Sequence, residues 1–161
     1  MAKIRRAFIS FQHSDVGKAR GLQLMSHAPH IDLKFSGRHL IKPVDSTNRD
    51  YIKRSIKEQI DGSSVTVLLA GKDTASSSWI AEEIRLSSAK EPPNGFVVIK
   101  LSADSVIPDG IPEHAEILSW LDPSDVAQFG PAIERAAAAR DFAPRVAAVT
   151  PGSGSSCGRA A

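Results

Sequence analysis

The stretch SWIAEEIRLSSAK, residues 78–90, holds two adjacent carboxylates in a segment of helical periodicity. At about 100° per residue, Ile80, Ile84 and Ser87 fall on one side, and Trp79 and Leu86 complete the apolar arc. Glu83 falls between those two groups, where a hydrophobe is expected. Its neighbour Glu82 projects to the opposite, polar face near Arg85, where a charge costs little. Two accounts of Glu83 stand open. In one it complements the positive N-terminal end of its helix, worth about 0.3 to 1 kcal/mol, or bonds a neighbouring backbone group, although Glu82 already suits that role. In the other it lines a cleft beside the ring of Trp79, where apolar surroundings raise its proton affinity and fix its position.

A single positioned carboxylate suits one kind of bond cleavage. Glycosidic bonds break through an oxocarbenium-like cation, and hydrolases of ordinary sugars need a second carboxyl to protonate the leaving oxygen. Nicotinamide leaves NAD⁺ from a cationic pyridinium and needs no such proton. One glutamate that binds the ribose hydroxyls and stabilises the cation is then enough, provided an aromatic wall and an apolar cleft exclude bulk water.

Other chemistries fail on residue type. Gly17-Lys18 suggests a P-loop, but Gln12 stands in place of the first glycine and Ala19 in place of the Ser/Thr. The dinucleotide fingerprint G-x-G-x-x-G is missing from QHSDVGKAR, which has one glycine. A phosphorylatable receiver domain needs an acidic cluster after the first strand and an aspartate ending the central one; here stand Gln12, His13 and Gly71, with Asp73 two positions late. The five histidines lack metal-ligand spacing, so no metal site is expected, and Ser10, Ser14 and His13 form no nucleophile arrangement.

These residues must be positioned by a chain of 161 residues, the size of one domain with one sizeable core. Hydrophobic content of 42% and charged content of 24% indicate a globular protein, and the longest apolar runs, such as VTVLLA, are too short to span a bilayer. MAKIRRAFISF runs straight into a strand pattern without the features of a signal peptide, so a cytoplasmic location and no membrane partner are expected. The lone Cys157 cannot close an internal disulfide. A formal charge of +2 argues against nucleic acid as a partner. Basic density is higher around Lys34, Arg38, Lys42, Arg49, Lys53, Arg54 and Lys57, which reads as a solvated helix face with a phosphate-binding patch as the minority alternative.

Alternation in IRRAFISF, residues 4–11, predicts a first strand with Ile4, Ala7, Ile9 and Phe11 toward the core. After the polar loop QHSD, Ser14 or Asp15 is placed to cap a helix through Val16, Leu22, Leu24 and Met25. DLKFSGRHLI is a weaker extended segment. STNRDYIKRSIKEQIDG is a helix with Ile52, Ile56 and Ile60 on one stripe. SVTVLLAG and FVVIKL read as strands buried on both faces, the habit of a parallel sheet. EILSWL is a possible last strand, and residues 123–141 make a final helix. Residues 1–141 thus form the domain, and residues 142–161, rich in Ala, Gly and Ser, read as a disordered tail. The alternation of strands and helices implies a doubly wound α/β fold, a central parallel sheet of about five strands flanked by helices in three layers. Its ligand crevice lies outside the carboxyl ends of the strands, where QHSD, the loop around KPVDSTN and the start of the Glu83 helix converge.

FISFQHSD, then SVTVLLAG, then WIAEEI resemble the TIR-like domains of the bacterial Thoeris anti-phage system, in that order and over about Lys3 to Leu101. The most specific element is W-x-x-x-E-[IL], Trp79 to Ile84; Ile80 stands where many TIR domains have Cys or Val. The resemblance implies a flavodoxin-like, TIR-like fold and places the family's catalytic glutamate at Glu83. It implies cleavage of NAD⁺, a substrate with no further cofactor, to nicotinamide and an ADP-ribose product that is often cyclic and is sensed by a separate effector protein. Ser10, Phe11 and the loop to Asp15 would contribute to the nucleotide pocket, Asp45 or Ser46 would face it, and Trp79 would wall the substrate or belong to the core. Many TIR domains act instead as non-catalytic interaction modules, and homo-oligomers through TIR–TIR contacts suit either reading.

Overall fold

A computed structural model of the protein describes residues 5–25, 31–35 and 49–141. Five strands, β1 (Arg5–Ser10), β2 (Ile31–Phe35), β3 (Val65–Ala70), β4 (Gly95–Lys100) and β5 (Glu116–Ser119), form one sheet in the order β2-β1-β3-β4-β5. Every neighbouring pair is parallel. Parallel neighbours require crossovers, supplied for the first three connections by α1 (Val16–Met25), α2 (Arg49–Asp61) and α3 (Ser78–Ala89) and for β4 to β5 by the non-helical segment 101–115, while α4 (Pro123–Val126) and α5 (Phe129–Asp141) follow the last strand. This is the doubly wound order of flavodoxin-like folds, whose direction of winding reverses between β1 and β3.

The sheet is covered on both sides, which explains the unbroken apolar runs. β3 is buried at all six positions. Its odd residues Val65, Val67 and Leu69 join Ala7, Ile9 and Phe11 of the β1 segment in a core with Leu22 of α1 and Phe129 and Ile133 of α5. Its even residues face α2 and α3. There Leu68 and Ala70 pack with Ile80, Ile84, Phe96 and Val98, and Phe8 packs with Ile52, Ile56 and Ile60, the predicted stripe of α2. Ala7, Ile9 and Phe11 are buried as expected, whereas Ile4 lies outside the described residues. Phe8 and Ser10 are also fully buried, because β1 is an inner strand and the alternation in its sequence does not mark a wet face.

The final helix is two helices. Pro131, with no N–H to give and a ring that would meet the carbonyl four residues back at Ala127, prevents one helix from running through. α4 therefore ends at Val126, and α5 starts afresh at Phe129. Among the described residues no helix is long and apolar enough to cross a membrane.

Candidate active site at the β1 and β3 strand ends

α3 is set by its N-cap. Ser77 is extended and its side chain accepts from the Ile80 N–H, so the helix begins at Ser78 and Glu83 is its sixth residue. No acidic residue stands in the first turn. A macrodipole acts within that turn, so helix-end compensation explains neither glutamate. Glu82 instead forms a two-pronged pair with Arg85, at 2.9 and 2.7 Å, on the outer face. The hydrogen bond from Arg85 holds the Glu82 carboxyl below the usual carboxylate range.

Glu83 turns the other way and has no solvent exposure. Ile80 and Ile84 beside it belong to the apolar cluster against β3 and β4, while Trp79 and Leu86 pack on the cluster against α2, so Glu83 stands in the seam between them. The Ser10 hydroxyl, itself fully buried, donates to Glu83 Oε2. Ser10 is the last residue of β1 and lies opposite Leu68 of β3. The carboxylate is thereby held at the carboxyl end of the sheet, where the strand order reverses and ligands of such folds bind.

Asp15 reaches the same edge from the other side. It ends a short 3-10 turn, His13–Asp15, after β1, and its carboxyl lies so close to Gly71 that a Cβ there would collide with Oδ2. Only a residue without a side chain leaves that space after β3. The Gly71 N–H donates to Thr74 Oγ1 at 2.8 Å, and Thr74 in turn donates to the Leu69 carbonyl at 3.2 Å, which fixes the loop against the strand end. Asp15 Oδ2 is buried without a hydrogen-bond partner. Burial, with the nearby Asp73 charge, raises the affinity of Asp15 for a proton, against an opposing pull from Lys18.

Of the remaining residues named from sequence, Phe11 and Trp79 pack on opposite sides of the sheet. Phe11 is fully buried on the α1 and α5 side of the sheet. Trp79 is half-buried against the α2 side, with the Arg49 guanidinium 5.0 Å above its ring. Asp45 and Ser46 lie outside the described residues. Among the described residues no group of three or more His, Cys, Asp or Glu is placed to hold a metal ion.

Sequence reasoning missed the polar line that continues beneath α3. Ser87, one turn after Glu83, meets Thr66 of β3 at 2.6 Å, and Asn94 Nδ2 donates to Thr66 Oγ1 at 3.0 Å and to Ser63 Oγ at 2.9 Å. The signal was present: Thr66 is the one hydroxyl in VTVLLA, a strand otherwise apolar and buried throughout.

A family model of the Thoeris protein ThsB TIR-like domain matches residues 8–105, from Phe8 of β1 past the end of β4. Among solved structures, a prokaryotic SEFIR domain is similar at 16% identity, with 81% of this chain and 96% of that one covered and a TM-score of 0.52, a likeness of fold. No curated protein matches the chain. With that match running from β1 through β4 and covering more than half of the chain, the chain belongs to the Thoeris ThsB TIR-like domain family and has a TIR-domain role in defence.

Proposed function

We propose that this domain cleaves the bond between nicotinamide and ribose in NAD⁺, with Glu83 as the catalytic carboxylate. The observation that carries the reading is a glutamate without solvent exposure, held by Ser10 at the β1/β3 reversal, on a helix whose other glutamate is spent on a surface ion pair. A carboxylate is expensive to bury, and the buried Ser10 hydroxyl donates to this one.

In this mechanism the electron pair of the breaking bond goes to the pyridinium nitrogen, so nicotinamide leaves neutral and unprotonated. The positive charge passes to the ribose as an oxocarbenium ion, which the Glu83 carboxylate stabilises from a site poor in water. Ser10 keeps the carboxylate aimed. Attack by water gives ADP-ribose and a proton; attack by a hydroxyl or ring nitrogen of the same molecule gives a cyclic product, the messenger for a separate effector protein. Substrate entry requires the layer over the strand ends to open, since Glu83 is sealed in this conformation.

That sealing favours a second reading, in which Ser10 and Glu83 are a satisfied structural pair and the domain works as an interaction module. The two readings part on turnover. The purified protein is incubated with NAD⁺, with and without lysate from phage-infected cells, and nicotinamide release and product mass are followed. Release under either condition, with a product mass that distinguishes hydrolysis from cyclisation, is expected. No release under any condition, with the protein folded, leaves the interaction module.

A further inference from the structure

The basic stretch of α2 acquires a partner wall in three dimensions. A groove of about 480 Å³ runs between α2 and α3. Lys53, Arg54 and Lys57 stand on one side, and Arg85 and Lys90 on the other. Two carboxylates share it, Asp61 and Glu82, and both are engaged, Asp61 by Lys57 at 2.6 Å and Glu82 by Arg85 at 2.7 Å. Five cations against two acids leave an excess of three in one groove of a chain whose formal charge is +2. Lys53 and Arg54 make no salt bridge among the described residues.

Like charges facing each other across a groove repel unless an anion lies between them. Lys90 is the most committed of the five: its ammonium donates to the Ile60, Asp61 and Ser63 carbonyls, and burial first, then the Arg140 charge outside the groove, lower its pKa to about 8. Lys53, Arg54, Lys57 and Arg85 therefore carry the groove's charge. The spacing argues for more than one phosphate. Lys53 and Lys57 are one turn apart, about 6 Å along the helix axis, so their charges reach successive groups of an extended anion. The volume falls within the range of about 300–1,000 Å³ usual for small-molecule sites, and half-buried Leu86 gives the groove an apolar spot.

We propose that the α2–α3 groove is a binding site for a small molecule bearing two or more phosphates. It is separate from the strand-end site: Glu82 and Arg85 face the groove, whereas Glu83 faces the sheet. A ligand held by both helices ties α3 to α2, and the site does not depend on cleavage of NAD⁺.

Calorimetric titration of the full chain with tripolyphosphate, without divalent metal and at fixed ionic strength, tests it. The double variant Lys53→Glu/Arg54→Glu is compared with Arg20→Glu/Lys72→Glu, which changes net charge equally at exposed positions outside the groove. Saturable one-to-one binding is expected, weakened about tenfold or more in the groove variant, since charge-assisted contacts are lost there, and by less than about twofold in the control, where only long-range, screened charge changes. ATP in place of tripolyphosphate distinguishes a nucleotide from a bare polyphosphate: tighter binding shows that the groove also holds the organic body. Glu83→Gln is expected to bind as the wild type does, which separates this site from the catalytic reading. Absence of saturable binding, equal weakening in both double variants, or affinity that grows with the length of a single-stranded oligonucleotide overturns the proposal.

Discussion

The two faces of the sheet are built differently. Beneath α1 and α5 fifteen buried apolar residues form one continuous cluster. Beneath α2 and α3 the buried residues fall into clusters of six and four, and between them runs a line of hydroxyls, an amide and a carboxylate: Ser10 with Glu83, then Thr66, Ser87 and Asn94. The first face is held by shape and apolarity, with an ion pair, Arg5 to Glu134 of α5 at 3.1 Å, at its margin. The second holds groups that must each be satisfied to be tolerated, and local departures of this kind concentrate where a protein has something other than stability to maintain.

The largest expected effect lies on the apolar face. Ile133 is fully buried in the large cluster, so Ile133→Ala costs about 2–5 kcal/mol in urea unfolding, while nicotinamide release per folded molecule stays unchanged. If that release falls with stability held constant by a stabilising ligand, the division between the faces is wrong.

On the polar face Thr66→Val removes a partner from both Ser87 and Asn94. The expected loss is about 1–3 kcal/mol, the cost of buried groups left unsatisfied. Adding Ser87→Ala to the same variant should restore part of it, because one orphaned hydroxyl goes too. A purely additive loss in the double variant would show that the hydroxyls are not coupled.

Asp15 gives a smaller, pH-dependent signature. Its folded pKa lies above the ordinary 3.8, so its contribution is fully present below that value and is lost as pH rises through the folded one. Asp15→Asn should therefore be more stable than wild type at neutral pH, with the advantage shrinking toward acid. Melting curves across the acid range check the sign. The smallest effect belongs to Glu82→Gln, which breaks an exposed pair and should shift stability by no more than about 1 kcal/mol.

How far the sequence disclosed this division depends on what each signal encodes. Ile52, Ile56 and Ile60 repeat at helical spacing and sit where that spacing puts them; VTVLLA is a strand covered on both sides, and no other placement suits it. Glu83 was legible as a misfit because one helix carries both the rule and the exception. Ser10 enters the site only through the family resemblance, and its bond to Glu83 was not legible, since Ser10 comes 73 positions earlier and the contact exists only once β1 lies beside β3. The same holds for Gly71, whose lack of a side chain acquires meaning from Asp15 alone. Helix-end compensation failed as an account because the cap at Ser77 sets the count of turns, and with it which residues the dipole reaches. The break before α5 is written in Pro131, while the Ala-rich run after it carries the helical propensity that makes residues 123–141 read as one helix.

The central claim is that the carboxylate on the polar face is present for chemistry and not for the fold. Glu83→Gln keeps the shape and a hydrogen-bonding oxygen for Ser10 while removing the charge. Nicotinamide release from NAD⁺ and thermal stability are measured on the same preparation, beside wild type and Glu82→Gln. The expected result is a loss of release of about 10²-fold or more in Glu83→Gln alone, with a melting temperature equal to or above that of wild type. Release that survives in Glu83→Gln, or that falls only in step with a lowered melting temperature, would contradict the claim and return Glu83 to the structure of the core.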